Sequence, residues 1–163
     1  MSARGPFELV VQEHGAVVLR VCRGLVGPDD AEDAWAETFL SALRAWPDLD
    51  DGADVRAWLV TIAHHRSVDH LRARGRRALP HDDVEPFMAV GSAGAEPSDE
   101  QLLDLVRSLP PKQRTAVVGR YLADLSYDDV AALAGTSNDA ARRNAADGIA
   151  SIRRRYRPEE ANR

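Results

Sequence analysis

Between Phe7 and Val26 the apolar residues Phe7, Val10, Val11, Val17, Val18, Val21 and Leu25 recur every three or four positions, with the half-apolar His14 among them. That spacing lines one side of an α-helix. Gly27-Pro28 interrupts it, and Asp29 and Asp30 are placed to cap a second helix over about residues 30–46. This second helix carries Trp35, Phe39, Leu40 and Leu43 on one face and stops at Pro47. Residues 48–53 are polar, acidic and contain a glycine, which reads as a loop. Asp54 is placed to cap a third helix with Val55, Trp58, Leu59, Ile62 and Leu71, which fades into an arginine-rich end near Arg77.

The pattern then lapses. Residues 78–97 hold few large apolar side chains, three prolines and only acidic charges, too little apolar surface to offset the entropy of ordering. Helical periodicity resumes at Ser98, which with Gln101 forms a capping-box pattern ahead of Leu102, Leu103, Leu105 and Val106. Pro110-Pro111 suits the start of a helix over about 111–122. Ser126 caps a short helix that ends on Gly135, and Ser137 or Asn138 opens a last helix reaching about Tyr156. No segment reads as a strand and no repeat is visible. The expected fold is all-α: two small helical domains at 1–77 and 99–157, a flexible acidic linker at 78–98 and a tail at 158–163.

Composition narrows the class. In 163 residues, 44% hydrophobic, no apolar run approaches the roughly 20 residues that span a membrane. The N-terminal stretch lacks a secretory pattern, and Cys22 is the only cysteine, so neither an internal disulfide nor a cysteine zinc site is available. A reduced, cytoplasmic protein is expected, with Cys22 a buried thiol on the apolar face of the first helix. His64, His65, Asp69 and His70 invite a metal, yet adjacent histidines face different sides of a helix and arginines crowd them. No metalloprotease, phosphate-loop or nucleophile-elbow motif occurs. The expectation is a non-enzyme without metal, cofactor, small-molecule substrate or membrane insertion.

The net charge of −5 hides a division: acidic residues gather at Asp29, Asp30, Glu32, Asp33 and Glu37 and over 82–104. Basic ones gather at Arg66, Arg72, Arg74, Arg76 and Arg77, and again at Arg142, Arg143, Arg153, Arg154, Arg155 and Arg157. Phosphate contacts are local, so clusters count for more than the sum. Residues 125–155 have a helix-turn-helix layout, a short helix, a glycine turn and a second helix with arginines near its start. That second helix would present Asn138, Arg142, Arg143 and Asn144 to base edges in the major groove. Two core helices with surface arginines satisfy the same spacing.

AEDAWAETFLSALRAW (31–46) followed by DVRAWLVTIAHHRSVDHLRARGRR (54–77) resembles conserved region two of the extracytoplasmic-function (ECF) group of bacterial RNA polymerase sigma factors. LVRSLPPKQRTAVVGRYLADLSYDDVAALAGTS (105–137) resembles region four of the same group, and the two cover most of the chain in the right order. The resemblance implies a subunit that binds core RNA polymerase and directs initiation at promoters with minus-ten and minus-thirty-five elements. It also implies an anti-sigma partner. By matched position, Asp30, Asp33, Glu37 and Arg44 would dock on the polymerase clamp. The loop 47–54, with Arg56, Trp58, His64, His65, Asp69, Arg72 and Arg76, would open and read the minus-ten element. Arg114 and Arg120 would hold the minus-thirty-five backbone, and Ser137, Asn138, Asp139, Arg142 and Arg143 would start its recognition helix.

Several positions depart from the family pattern. His65 stands where asparagine is usual, the 47–54 loop is unusually acidic, and Thr136 replaces an apolar residue. After Arg143 the family continues with basic residues, whereas this chain has Asn144, Ala145, Ala146, Asp147 and Gly148. Asp147 repels phosphate, and a mid-helix glycine costs about 1 kcal/mol, so altered minus-thirty-five contacts are expected. The other reading of the chain is a sigma-like helix-turn-helix regulator that does not recruit polymerase. In the linker, the run of carboxylates mimics a polyanion suited to a nucleic-acid channel, or serves solubility alone.

Overall fold

The computed structural model describes residues 5–77 and 98–156, with side chains except at 76 and 77. The expected linker, apart from Ser98, and the tail lie outside the described residues. Those residues form seven α-helices and no strand: α1 (Phe7–Val26), α2 (Pro28–Ala45), α3 (Val55–Arg77), α4 (Asp99–Arg107), α5 (Pro111–Val117), α6 (Tyr127–Ala134) and α7 (Asn138–Tyr156). A 3₁₀ turn (Trp46–Asp48) follows α2, and a π-helical turn (Val118–Leu122) continues α5.

The first three helices pack as a bundle around Val18, Val21, Ala34, Ala42, Leu59, Val60 and Ala63, all buried. Trp35 Nε1 ties α2 to α1 by donating to the Gly15 carbonyl at 2.9 Å. Arg66 ties α3 to α2 through Ser41 Oγ at 2.8 Å. At the bundle's base Phe39, Phe7, Trp46 and Trp58 follow one another in edge-on and tilted contacts, with neighbouring centroids 5.7 to 6.4 Å apart. Trp58 is therefore half-buried in an aromatic cluster. The caps of α2 differ from expectation. Gly27, at φ 88°, takes the N-cap position with Pro28 behind it, so Asp29 and Asp30 fall in the first turn and favour the helix through its dipole. Asp54 Oδ1 does cap α3, accepting from Ala57 N at 3.2 Å.

In the second half the capping box of Ser98 and Gln101 opens α4, Ser126 caps α6, and Gly135 closes α6 in the left-handed conformation at φ 66°. Ser137, not Asn138, caps α7, its Oγ accepting from Ala140 N at 3.1 Å. Gly148 is a packing residue. A Cβ there would stand 2.6 Å from Val117 Cγ2 and 3.3 Å from Leu109 Cδ1, so glycine lets α7 lie directly on α5.

The two halves also pack on each other. α1 lies against α4 and the π turn, α3 touches α6, and the buried apolar residues of both halves form one continuous core.

Candidate nucleic-acid and polymerase interface

Along α2 the residues that meet α1 and α3 are Ala31, Ala34, Thr38, Phe39 and Ala42, all buried. Opposite them an exposed stripe carries Asp29, Asp33, Ala36, Leu40, Leu43 and Arg44. The apolar face read from the sequence is corrected here, because Leu40 and Leu43 are 54% and 50% exposed. Trp35 and Phe39 do face the neighbouring helices, joined there by the small residues Ala31, Ala34 and Ala42 and not by the two leucines. Of the four positions matched to the polymerase surface, Asp33 and Arg44 lie on this stripe. Asp30 and Glu37 are engaged at its edge: Asp30 pairs with Arg74 at 3.1 Å, and Glu37 with His70 Nε2 at 3.0 Å.

The residues matched to the minus-ten element divide. His65, Asp69 and Arg72 lie three or four positions apart along the exposed side of α3. Trp58 stands at the head of that helix, held by Trp46, beside the turn and loop at 46–54. Arg66 reaches Asp69 at 3.9 Å on the same helix. His64 and Arg56 turn the other way. His64 Nε2 is 3.3 Å from Thr115 Oγ1 in the second half, and Arg56 pairs with Asp124 there at 3.8 Å. Burial, with His65 adding to it, holds the His64 ring below its ordinary pKa. For Arg76 the backbone alone is described, in the last turn of α3.

The helix-turn-helix is a braced unit. Asn138 Nδ2 donates to Asp128 Oδ1 at 2.7 Å, joining the starts of α6 and α7. Its Oδ1 accepts from Arg142 Nε, also at 2.7 Å. The Tyr127 ring receives two guanidinium groups, Arg142 at 4.4 Å and Arg120 at 4.9 Å from its centroid. Arg120 also donates to the Leu125 carbonyl at 2.9 Å. Ser137, Asp139 and Arg143 are exposed at the start of α7, with Asp147 exposed a turn beyond Arg143. Arg114 stands apart from this group, its Nη2 bonded to the Leu109 carbonyl and its side chain lining a cleft against the first half. The sequence reading did not single out Tyr127 and Asp128, which contact Arg142 and Asn138. Asp128 lies in the first turn of α6, where an acid suits the helix dipole, and an aromatic at the first position of a short helix gives no sign of the arginines that converge on it.

Cys22 is fully buried, and burial pushes its thiol up to about 11, so it is inert near neutral pH. No group of three His, Cys, Asp or Glu among the described residues is arranged to hold a metal. Among those residues no helix is long and apolar enough to cross a membrane.

Comparison with known proteins matches Sigma-70 region 2 to residues 10–77 and Sigma-70 region 4 to residues 99–151. The chain is 34% identical over 127 residues to the RNA polymerase sigma factor CarQ of Myxococcus xanthus, covering 76% of this chain and 72% of that one. It is 32% identical over 152 residues to the ECF RNA polymerase sigma factor SigD of Mycobacterium tuberculosis, covering 85% and 71%. Among solved structures, the fold is similar to the sigma factor RpoE of Bartonella quintana in complex with the anti-sigma factor NepR. That match has a TM-score of 0.72 at 23% identity, over 94% of this chain and 99% of that one. It is also similar to CnrH in complex with the cytosolic domain of CnrY, with a TM-score of 0.66 at 21% identity, over 90% and 84%.

Proposed function

Because the chain belongs to the ECF RNA polymerase sigma factors, which bind core polymerase and direct initiation at promoters, we propose how its own residues divide that work. The stripe of Asp33, Leu40, Leu43 and Arg44 on α2 docks on polymerase. Two exposed leucines flanked by an acid and a base suit a partner surface, since a soluble helix gains nothing by exposing them. Asp30 and Glu37 act at one remove, by fixing α3 against α2 through Arg74 and His70.

The exposed side of α3 takes the minus-ten element. Arg72 meets the strand's phosphates, His65 and Asp69 line the place of an unstacked base, and Trp58 gives that place an aromatic wall. The start of α7 takes the minus-thirty-five element. Arg143 reads a base edge, Ser137 and Asp139 flank it, and Arg142 is held by Asn138 and Tyr127 in an orientation set before DNA arrives. Arg120, fixed to the Leu125 carbonyl, positions the backbone. An anti-sigma protein and a site of action in the cytoplasm, where polymerase works, complete the reading.

The observation that carries it is the Asp128–Asn138–Arg142–Tyr127 brace, which organises the start of the recognition helix despite its shortage of basic residues. The test is reconstitution with bacterial core polymerase. Stable co-elution, with initiation at a defined subset of genomic promoters, is expected, and Arg143→Ala should relax preference upstream while Arg72→Ala weakens opening downstream. Direct DNA binding without association to core would overturn it.

A further inference from the structure

The two halves meet along a seam, and at one place on it α3 faces α5 and α6 across a cleft of about 300 Å³. That is the lower end of the range of small-molecule sites, about 300–1,000 Å³. Leu25, Val68, Leu71 and Leu133 give the cleft an apolar wall, and Lys112 and Arg114 are its charged members. No carboxylate is among the described residues that line it, although the chain carries a net charge of −5. A second cleft adjoins it, sharing Leu25, Leu71 and Arg114, and brings Arg74, Arg107 and one acid, Asp29, to the approach.

The other cations around the seam have partners. Arg74 meets Asp30 at 3.1 Å, Arg56 meets Asp124 at 3.8 Å, and Arg107 is held by Asp104 and by the Arg23 carbonyl. Among the described residues neither Lys112 nor Arg114 has a carboxylate within ion-pair reach. Arg114 Nη2 donates to the Leu109 carbonyl at 3.0 Å, while its Nε is buried with no hydrogen-bond partner among those residues. Across the cleft His64 Nδ1 is in the same condition, and His64 Nε2 lies 3.3 Å from Thr115 Oγ1. Ser67 also lines the cleft, but it bonds Cys22.

A buried donor without a partner is costly, and more so when it carries charge. Burial holds the Arg114 guanidinium below its ordinary pKa, and an anion beside it would reverse that effect. Two unpaired cations, one a guanidinium, match a head that carries close to two negative charges. A phosphate monoester has that charge at neutral pH. The cleft is larger than a phosphate needs, and the rest of its wall is apolar, which suits an organic body on the ester.

We propose that this cleft binds a small phosphate monoester, its phosphate on Lys112 and Arg114 and its organic body against Leu71 and Leu133. The task goes beyond the sigma-factor reading and does not depend on it. It gives Arg114 a phosphate from a different source than the promoter backbone, because a duplex cannot enter a cleft of this size. The ligand would touch both halves, α3 on one side and α5 and α6 on the other.

Phenyl phosphate is a suitable probe, titrated by calorimetry into the full chain at constant ionic strength so that screening is fixed. Saturable binding at about 1 mM or tighter is expected, with inorganic phosphate about tenfold weaker for want of the apolar body. Lys112→Gln and Arg114→Gln should each weaken phenyl phosphate by about tenfold or more. Arg114→Gln also loses the bond to Leu109, so Lys112→Gln, at an exposed position, decides if the first variant melts early. In the saturated protein the His64 ring should titrate at higher pH, since a nearby dianion favours its protonated form. Binding that is unchanged in Lys112→Gln, or that leaves the His64 titration unmoved, would put the phosphate elsewhere and overturn the proposal. Absence of saturable binding overturns it too, and so does inorganic phosphate binding as tightly as the ester. Displacement of phenyl phosphate by a promoter duplex would return both cations to DNA, against the proposal.

Discussion

At the scale of single residues, the glycines and one histidine carry more than their chemistry suggests. By helix propensity alone Gly148→Ala would stabilise α7 by about 1 kcal/mol. The added methyl would instead stand 2.6 Å from Val117 Cγ2, an atom on a stiff β-branched side chain. Overpacking of that kind costs typically about 1–3 kcal/mol, so Gly148→Ala should lower the urea midpoint with an unchanged slope. His64 gives a second residue-level expectation. Its pKa is held below the ordinary 6.5 by burial and by His65, and across the cleft Arg114 and Lys112 also oppose a positive charge. The unfolded chain takes up that proton more readily, so this contribution to folding is complete above about pH 6.5 and weakens as pH falls below that value. The urea midpoint should fall between about pH 7.5 and about pH 5.5, and His64→Gln should lessen that dependence.

At the scale of elements, the braced helix pair makes the clearest case. Asn138 spends its amide on Asp128 and its carbonyl on Arg142. Asn138→Ala should therefore act through orientation, weakening upstream-element binding with base preferences at Arg143 retained. Arg143→Ala should instead cost about 1–3 kcal/mol of discrimination at one base pair and little elsewhere. Promoter libraries transcribed by the reconstituted enzyme separate the two outcomes. Element order and most caps were legible in the sequence because capping and periodicity are local: Ser98, Asp54, Ser126 and Gly135 act within one turn. What was not legible was which face each helix buries. On α2 the eye follows Trp35, Phe39, Leu40 and Leu43, of which the first two pack inward, whereas three helices in close contact select Ala31, Ala34 and Ala42 in place of the leucines. His64 and His65 were separable as lying on different sides of the helix, but nothing local says that the side of His64 meets Thr115, 51 residues on.

At the scale of the whole molecule, the two conserved regions are not two independent bodies. Their buried residues run together from Val10 through Leu25 and Val106 to Ala145, so apolar area is shared across the seam. Separate bundles of this size would bury only about 60% of the surface their unfolded chains expose and be marginal alone, whereas a shared core couples their unfolding. Calorimetry of the intact chain should give one transition whose van't Hoff and calorimetric enthalpies agree. A Cβ at Gly24 of α1 would stand 3.0 Å from Leu122 Cδ1 and 3.3 Å from Val118 Cγ2 of the second half. Gly24→Leu therefore removes the coupling while leaving the first bundle's Val18, Val21 and Leu59 contacts and the second's Gly148 contact in place. Its melting should resolve into two transitions, each with a smaller enthalpy than the wild-type peak. Two transitions already present in the wild type would mean that the shared core contributes nothing to the coupling of the halves.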